Sequence, residues 1–159
     1  MARGRRVRSR TRGRWRDGRG WLVVYGEKGG GSGRTTDGTA SVDTAGEPVR
    51  VPVEIAASYR ARTRGLLGRD GVTGALLLTP ANSIHTVGMR IPIDVAYLDR
   101  HLRVLAVRTM RPGRLGLPRL RSRHVLEAEA GAMREWGMEA GARVEVEPEE
   151  ETGRRAGAG

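Results

Sequence analysis

At 159 residues the chain has room for one ordinary domain plus tails. Its formal net charge of +11, from 29 Lys+Arg against 18 Asp+Glu, invites an anionic partner. Lys28 is the only lysine, however, and 24 glycines accompany the arginines, so part of the excess reads as GC-rich coding. The absence of Cys excludes disulfides, thiolate metal sites and Cys nucleophiles, and no apolar run approaches the ~20 residues that span a bilayer.

Residues 1–46 are rich in Arg and Gly and poor in apolar side chains, which predicts a disordered basic arm. The longest apolar run in it, WLVVY at residues 21–25, is shorter than the ~7–15-residue core of an export signal. Arg5-Arg6 therefore lacks the segment that a twin-arginine signal needs, and a soluble cytoplasmic protein is expected. Clustered arginines within residues 3–19 displace counterions from phosphate, so weak, sequence-indifferent association with nucleic acid is one expectation for the arm.

An ordered domain is expected over residues 47–148, folding without the arm. Residues 49–55, VRVPVEI, alternate as a half-buried strand, with Pro52 suited to a sheet edge. Residues 56–67 predict a short helix, with Ser58 as N-cap and Gly65 near its end. Short strands follow at 74–79, 84–87 and 93–98. Residues 99–101 connect the last of these to a partner at 102–107 as an antiparallel hairpin. A basic loop spans 111–123, a strand 124–129, one or two helical turns 130–136, and a last strand 142–146. Residues 149–159 form a polar tail. The result is a mainly β fold with two short helices, without a βαβ rhythm or a glycine-rich phosphate loop.

Several motifs carry a resemblance. RGLLGR at 64–69 is similar to R-G-L-M-x-R, and GALLL at 74–78 to G-M-L-F. IPIDVAYLD at 91–99 is similar to I-P-L-D-I-A-F-L-D, and Val125-Leu126-Glu127 with Ala130-Gly131 to V-L-E-x-x-A-G. Residues 137–146 resemble a closing G-I-x-x-G-D-x-V. In this order and spacing the chain resembles the family named domain of unknown function 192. Where many members carry Phe-Trp-Met-Lys-Asn-Thr, this chain has Ile84-His85-Thr86-Val87-Gly88-Met89, like a His-Thr-x-Gly-Met-Arg subgroup. The resemblance implies a jelly-roll-like β-sandwich, and no established activity or cofactor.

Asp94 is the residue of greatest chemical interest, a carboxylate between Ile93 and Val95 that needs a partner or an open face. Gly88 lets the chain turn so that His85 or Arg90 approaches it. One reading is an Asp94–His85 acid–base pair at a pocket mouth. The other is a structural carboxylate that accepts hydrogen bonds and pins a hairpin. His85, Thr86, Arg90 and Asp94 form the candidate ligand site, with His124 and Glu127 as neighbours. No spacing supports a metal site, and Ser58, Ser83 and Thr86 lack a nucleophile-elbow context. A non-enzymatic domain binding a small ligand or a protein is the expectation, with no cofactor. Its alternatives are an enzyme using the Asp94/His85 pair, and nucleic-acid association through the arm.

Overall fold

The computed structural model describes residues 15–26 and 47–149. Seven strands and two short helices occur in the order β1 Gly18–Tyr25, β2 Val49–Ala56, α1 Tyr59–Arg64, β3 Ala75–Leu78, β4 Ile93–Leu98, β5 Val104–Met110, β6 His124–Glu129, α2 Ala132–Glu135 and β7 Arg143–Pro148. All seven strands belong to one sheet, ordered β5-β4-β6-β3-β2-β1-β7. Its end strands meet at one point, where Val104 N donates to Ala142 O at 2.9 Å and Val144 N to Leu102 O at 3.1 Å. The strands are thus one curled sheet. The expected jelly-roll-like sandwich is replaced by this simpler mainly β arrangement, because β6 and β3 join what would be two sheets into a continuous ladder.

Strand β1 corrects the expected boundary at residue 46. Gly18–Tyr25 pairs with β2 from Gly18↔Ile55 to Val24↔Val49, and with β7 from Gly20↔Pro148 to Tyr25↔Arg143. Leu22 and Val24 are fully buried. The WLVVY run supplies what the surrounding Arg/Gly composition hides, an alternating apolar face long enough to fill a slot between two strands. The remaining residues of the expected arm, 1–14 and 27–46, and most of the expected tail lie outside the described residues.

Because β1 covers β2, Pro52 sits in an interior strand and not at an edge. The sheet accommodates it locally, since the parallel β2–β3 ladder starts one residue later, at Val53↔Ala75. Gly74, with φ of 75°, packs against the Pro52 carbonyl where a Cβ would collide with it. The parallel step from β2 to β3 is made by α1. Ser58 Oγ caps it by accepting from Ala61 N at 3.2 Å, and Gly65, with φ of 46°, ends it. Asp17 Oδ1 accepts from Ala57 N and Ser58 N at 2.6 and 2.7 Å, tying the start of β1 to the helix entrance.

Period-2 alternation gives each face of the sheet its own core. On the α2 face, Leu22, Val24, Val53, Leu77, Leu98, Leu126 and Val144 surround Met133. On the α1 face, Leu76, Leu78, Ile93, Val95, Tyr97 and Val125 are covered by Leu66 and by the β3–β4 loop, which contributes Ile84, Met89 and Ile91. The expected strand at 84–87 is part of this covering loop, with an isolated β-bridge at His85↔Leu115 and not a strand of the sheet.

Candidate functional site

Each expected site residue has a definite place. Asp94 points from β4 to the α2 face, in step with Ala96 and Leu98. It is almost fully buried, and both carboxylate oxygens are engaged. Thr109 Oγ1, directly across the ladder, donates to Oδ1 at 2.6 Å, and the Gly131 and Met133 amides donate to Oδ2 at 2.8 and 3.2 Å. The carboxylate therefore clasps the β6–α2 turn onto the sheet.

His85 is exposed on a loop whose apolar neighbours, Ile84 and Met89, pack on the α1 face. The fold does not bring it to Asp94. Arg90 reaches neither, since its guanidinium pairs with Asp70 at 2.8 Å in the open. Thr86 is fully buried and serves as a peg. Its hydroxyl donates to Arg111 O at 2.7 Å and accepts from Arg114 N at 2.9 Å, fixing the basic loop against residues 84–89.

His124 and Glu127 share β6 but, three residues apart, face opposite sides of the sheet. His124 is on the α2 side, where its Nδ1 meets Thr79 Oγ1 at 2.7 Å and Trp15 packs edge-on at 5.5 Å. Burial pushes its imidazole down to about 4, so the ring is neutral at physiological pH. No group of three metal-ligating side chains converges among the described residues.

Glu127 differs from all of these. It lies on the α1 face between Leu76 of β3 and Val95 of β4, with no exposed surface. Neither carboxyl oxygen has a hydrogen-bond partner. Burial pushes the group up to about 8, opposed by the positive charge of Arg69, so it is protonated at neutral pH. Arg69 is committed elsewhere, bidentate to Glu54 at 3.1 Å on both oxygens. The cover over Glu127 is the end of α1: a Cβ on Gly65 would stand 3.7 Å from Oε2. Arg64 and Leu67, on either side of Gly65, line an open groove of about 420 Å³ with Tyr59, Arg60 and Thr63. Gly65 and the groove side chains were not among the expected site residues; the RGLLGR match covered Arg64, Gly65 and Leu67, and no motif marked Tyr59, Arg60 or Thr63.

Residues 40–146 match the sequence pattern of domain of unknown function 192, described as Uncharacterized ACR. The chain belongs to this family. A UPF0127 protein of Thermococcus kodakarensis is 32% identical over 115 residues, covering 69% of this chain and 73% of its own. A UPF0127 protein of Pyrococcus horikoshii is 33% identical over 84 residues, covering 50% and 73%. Two crystal structures share the fold. A protein of unknown function from Novosphingobium aromaticivorans aligns with a TM-score of 0.61 at 19% identity, over 79% of this chain and 83% of that one. A putative transcription regulator from Sinorhizobium meliloti aligns with a TM-score of 0.63 at 16% identity, over 84% and 98%. The DUF192 match begins after β1, although β1 is hydrogen-bonded on both sides within the sheet. Among the described residues no helix is long and apolar enough to cross a membrane.

Proposed function

We propose that this DUF192 protein is a non-enzymatic, cytoplasmic binding domain, and that its small ligand is recognised at Glu127 and the groove beside Gly65. The observation that carries this reading is a fully enclosed carboxyl group without a single hydrogen bond. Such a group costs about 1–3 kcal/mol relative to a satisfied or apolar one. Asp94 and Thr86, by contrast, have their polar atoms committed to holding loops. A protonated Glu127 is a hydrogen-bond donor, and Arg60 and Arg64 add positive charge at the groove. The complementary ligand is a small anion rich in acceptors, a carboxylate or phosphate ester, that enters by displacing the Gly65 turn.

A panel of small carboxylates and phosphate esters, followed by thermal unfolding at about pH 6 where Glu127 holds its proton, tests the reading. At least one compound raises the Tm of the wild-type chain by a few degrees, and Glu127→Met abolishes that rise while remaining folded. Uniform absence of a shift overturns it. So does reproducible turnover of any compound by the wild-type chain, which would make the domain an enzyme.

A further inference from the structure

The layer of chain laid over the α1 face ends in a surface of one chemical kind. Residues 80–92 and 111–123 contain no Asp or Glu. They are held together by backbone bonds: Thr86 N donates to Arg114 O at 2.8 Å, Gly116 N to Ile84 O at 2.7 Å and Arg119 N to Asn82 O at 2.8 Å. Gly116 has no room for a side chain, since a Cβ would stand 2.6 Å from Tyr97 Oη and 2.9 Å from Ile84 Cγ2. The loop backbone is therefore fixed while its large apolar side chains project outward. Leu115, Leu117 and Leu120 are 78, 83 and 85% exposed, and Val87, next to Thr86, is 53% exposed.

Arg90 of the first loop pairs with Asp70, and the five arginines of 111–123 divide into two sets. Arg119 lies over the Tyr97 ring, and Arg123 donates to the Leu120 and Ser122 carbonyls. Arg111, Arg114 and Arg121 are exposed and make no ion pair among the described residues. Free cations interleaved with projecting leucines, without a carboxylate in either loop, describe a surface that is satisfied by an apolar medium with an anionic rim.

We propose that this loop surface docks on an anionic phospholipid bilayer, the leucines entering the headgroup–acyl boundary while Arg111, Arg114 and Arg121 meet phosphates. The leucines protrude, so a partner needs no matching pocket if it is deformable, as lipid is. Nucleic acid offers no place for three aliphatic side chains, and the single exposed ring of these loops, His85, does not make the row of stacking platforms that successive bases use. The contact is peripheral and reversible, combining a shallow apolar insertion with electrostatic attraction that salt weakens.

Flotation of the full chain with vesicles tests the proposal, using phosphatidylcholine alone or with roughly one-third phosphatidylserine, at about 0.05 and about 0.5 M salt. Because the N-terminal segment is also basic, three variants are compared: L115S/L117S/L120S, R111Q/R114Q/R121Q, and R3Q/R5Q/R6Q. The substituted loop residues are exposed, and unchanged thermal unfolding of each variant establishes that the fold is intact. The wild-type chain binds the anionic vesicles, and about tenfold more weakly when phosphatidylserine is absent or salt is high. Both loop variants lose about tenfold or more, while the N-terminal variant changes by less than about twofold. The proposal is overturned if the wild-type chain fails to float with anionic vesicles at low salt. It is overturned equally if the leucine variant binds like wild type, or if the N-terminal variant alone removes binding. Loop substitutions that spare vesicles but abolish binding to duplex DNA would make the surface a nucleic-acid one instead.

Discussion

Asp94 and Glu127 show how little a residue type says until its neighbours are known. Both are buried carboxylates on strands that are buried along almost their whole length. Asp94 meets one hydroxyl and two amides and becomes a structural clasp, whereas Glu127 meets Leu76, Val95 and the turn at Gly65 and keeps its proton. The sign of its effect on stability follows from linkage. The folded-state pKa is about 8 against an ordinary 4.5, so the folded chain holds a proton that the unfolded chain releases across that interval. Stability from this group is fully present below about pH 4.5 and declines as pH rises toward about 8. Glu127→Met removes the dependence. Denaturant unfolding should find the variant more stable than wild type, by about 1–3 kcal/mol at about pH 5 and by a larger margin at about pH 8. A variant less stable than wild type at the higher pH would mean that a bond to Glu127 compensates its burial.

At the level of elements, β1 is the decisive strand. It fills the space between β2 and β7, buries Leu22, Val23 and Val24, and closes two ladders. Burying three such side chains stabilises by roughly 5–9 kcal/mol, comparable with the whole ~5–15 kcal/mol margin of a domain. A chain beginning at Glu47 should therefore fail to fold, seen as the loss of amide dispersion in a nitrogen–proton NMR spectrum and of a cooperative melt. Retention of both would show that β2 and β7 manage without the strand between them. The expectation that residues 47–148 fold alone arose because composition over a window of 46 residues averages out a five-residue apolar run. The helices were placed more accurately: Ser58 caps α1 and Gly65 ends it, since capping is local chemistry.

Across the whole molecule, two buried titratable groups on opposite faces of β6 set opposing pH responses. His124 is neutral when folded, with its pKa pushed down to about 4, so its contribution is present above about pH 6.5 and is lost as pH falls toward about 4. Glu127 acts in the opposite direction between about pH 4.5 and 8. The two slopes offset each other between about pH 4.5 and 6.5, and only Glu127 acts above that. Thermal unfolding across this range should show a plateau followed by a fall in Tm from about pH 6.5 to about pH 8. A Tm that climbs through the upper interval would contradict the buried, protonated state of Glu127.

The sequence by itself determined the local features and the family. Alternation placed β2, short apolar runs bounded by turns placed β4 and β6, the turn at Asp99 placed the β4–β5 hairpin, and the ordered motifs from RGLLGR onward marked a DUF192 chain. Those signals lie within a few residues of one another, where backbone preference and side-chain period act directly. Tertiary structure alone decided that β1 belongs to the sheet, that Pro52 lies inside it, and that His85 and Asp94 stay apart. It also left Glu127, and not Asp94, without a partner. These are outcomes of which distant strands pair and which face each side chain takes, and a one-residue change of register would reverse every one of those faces.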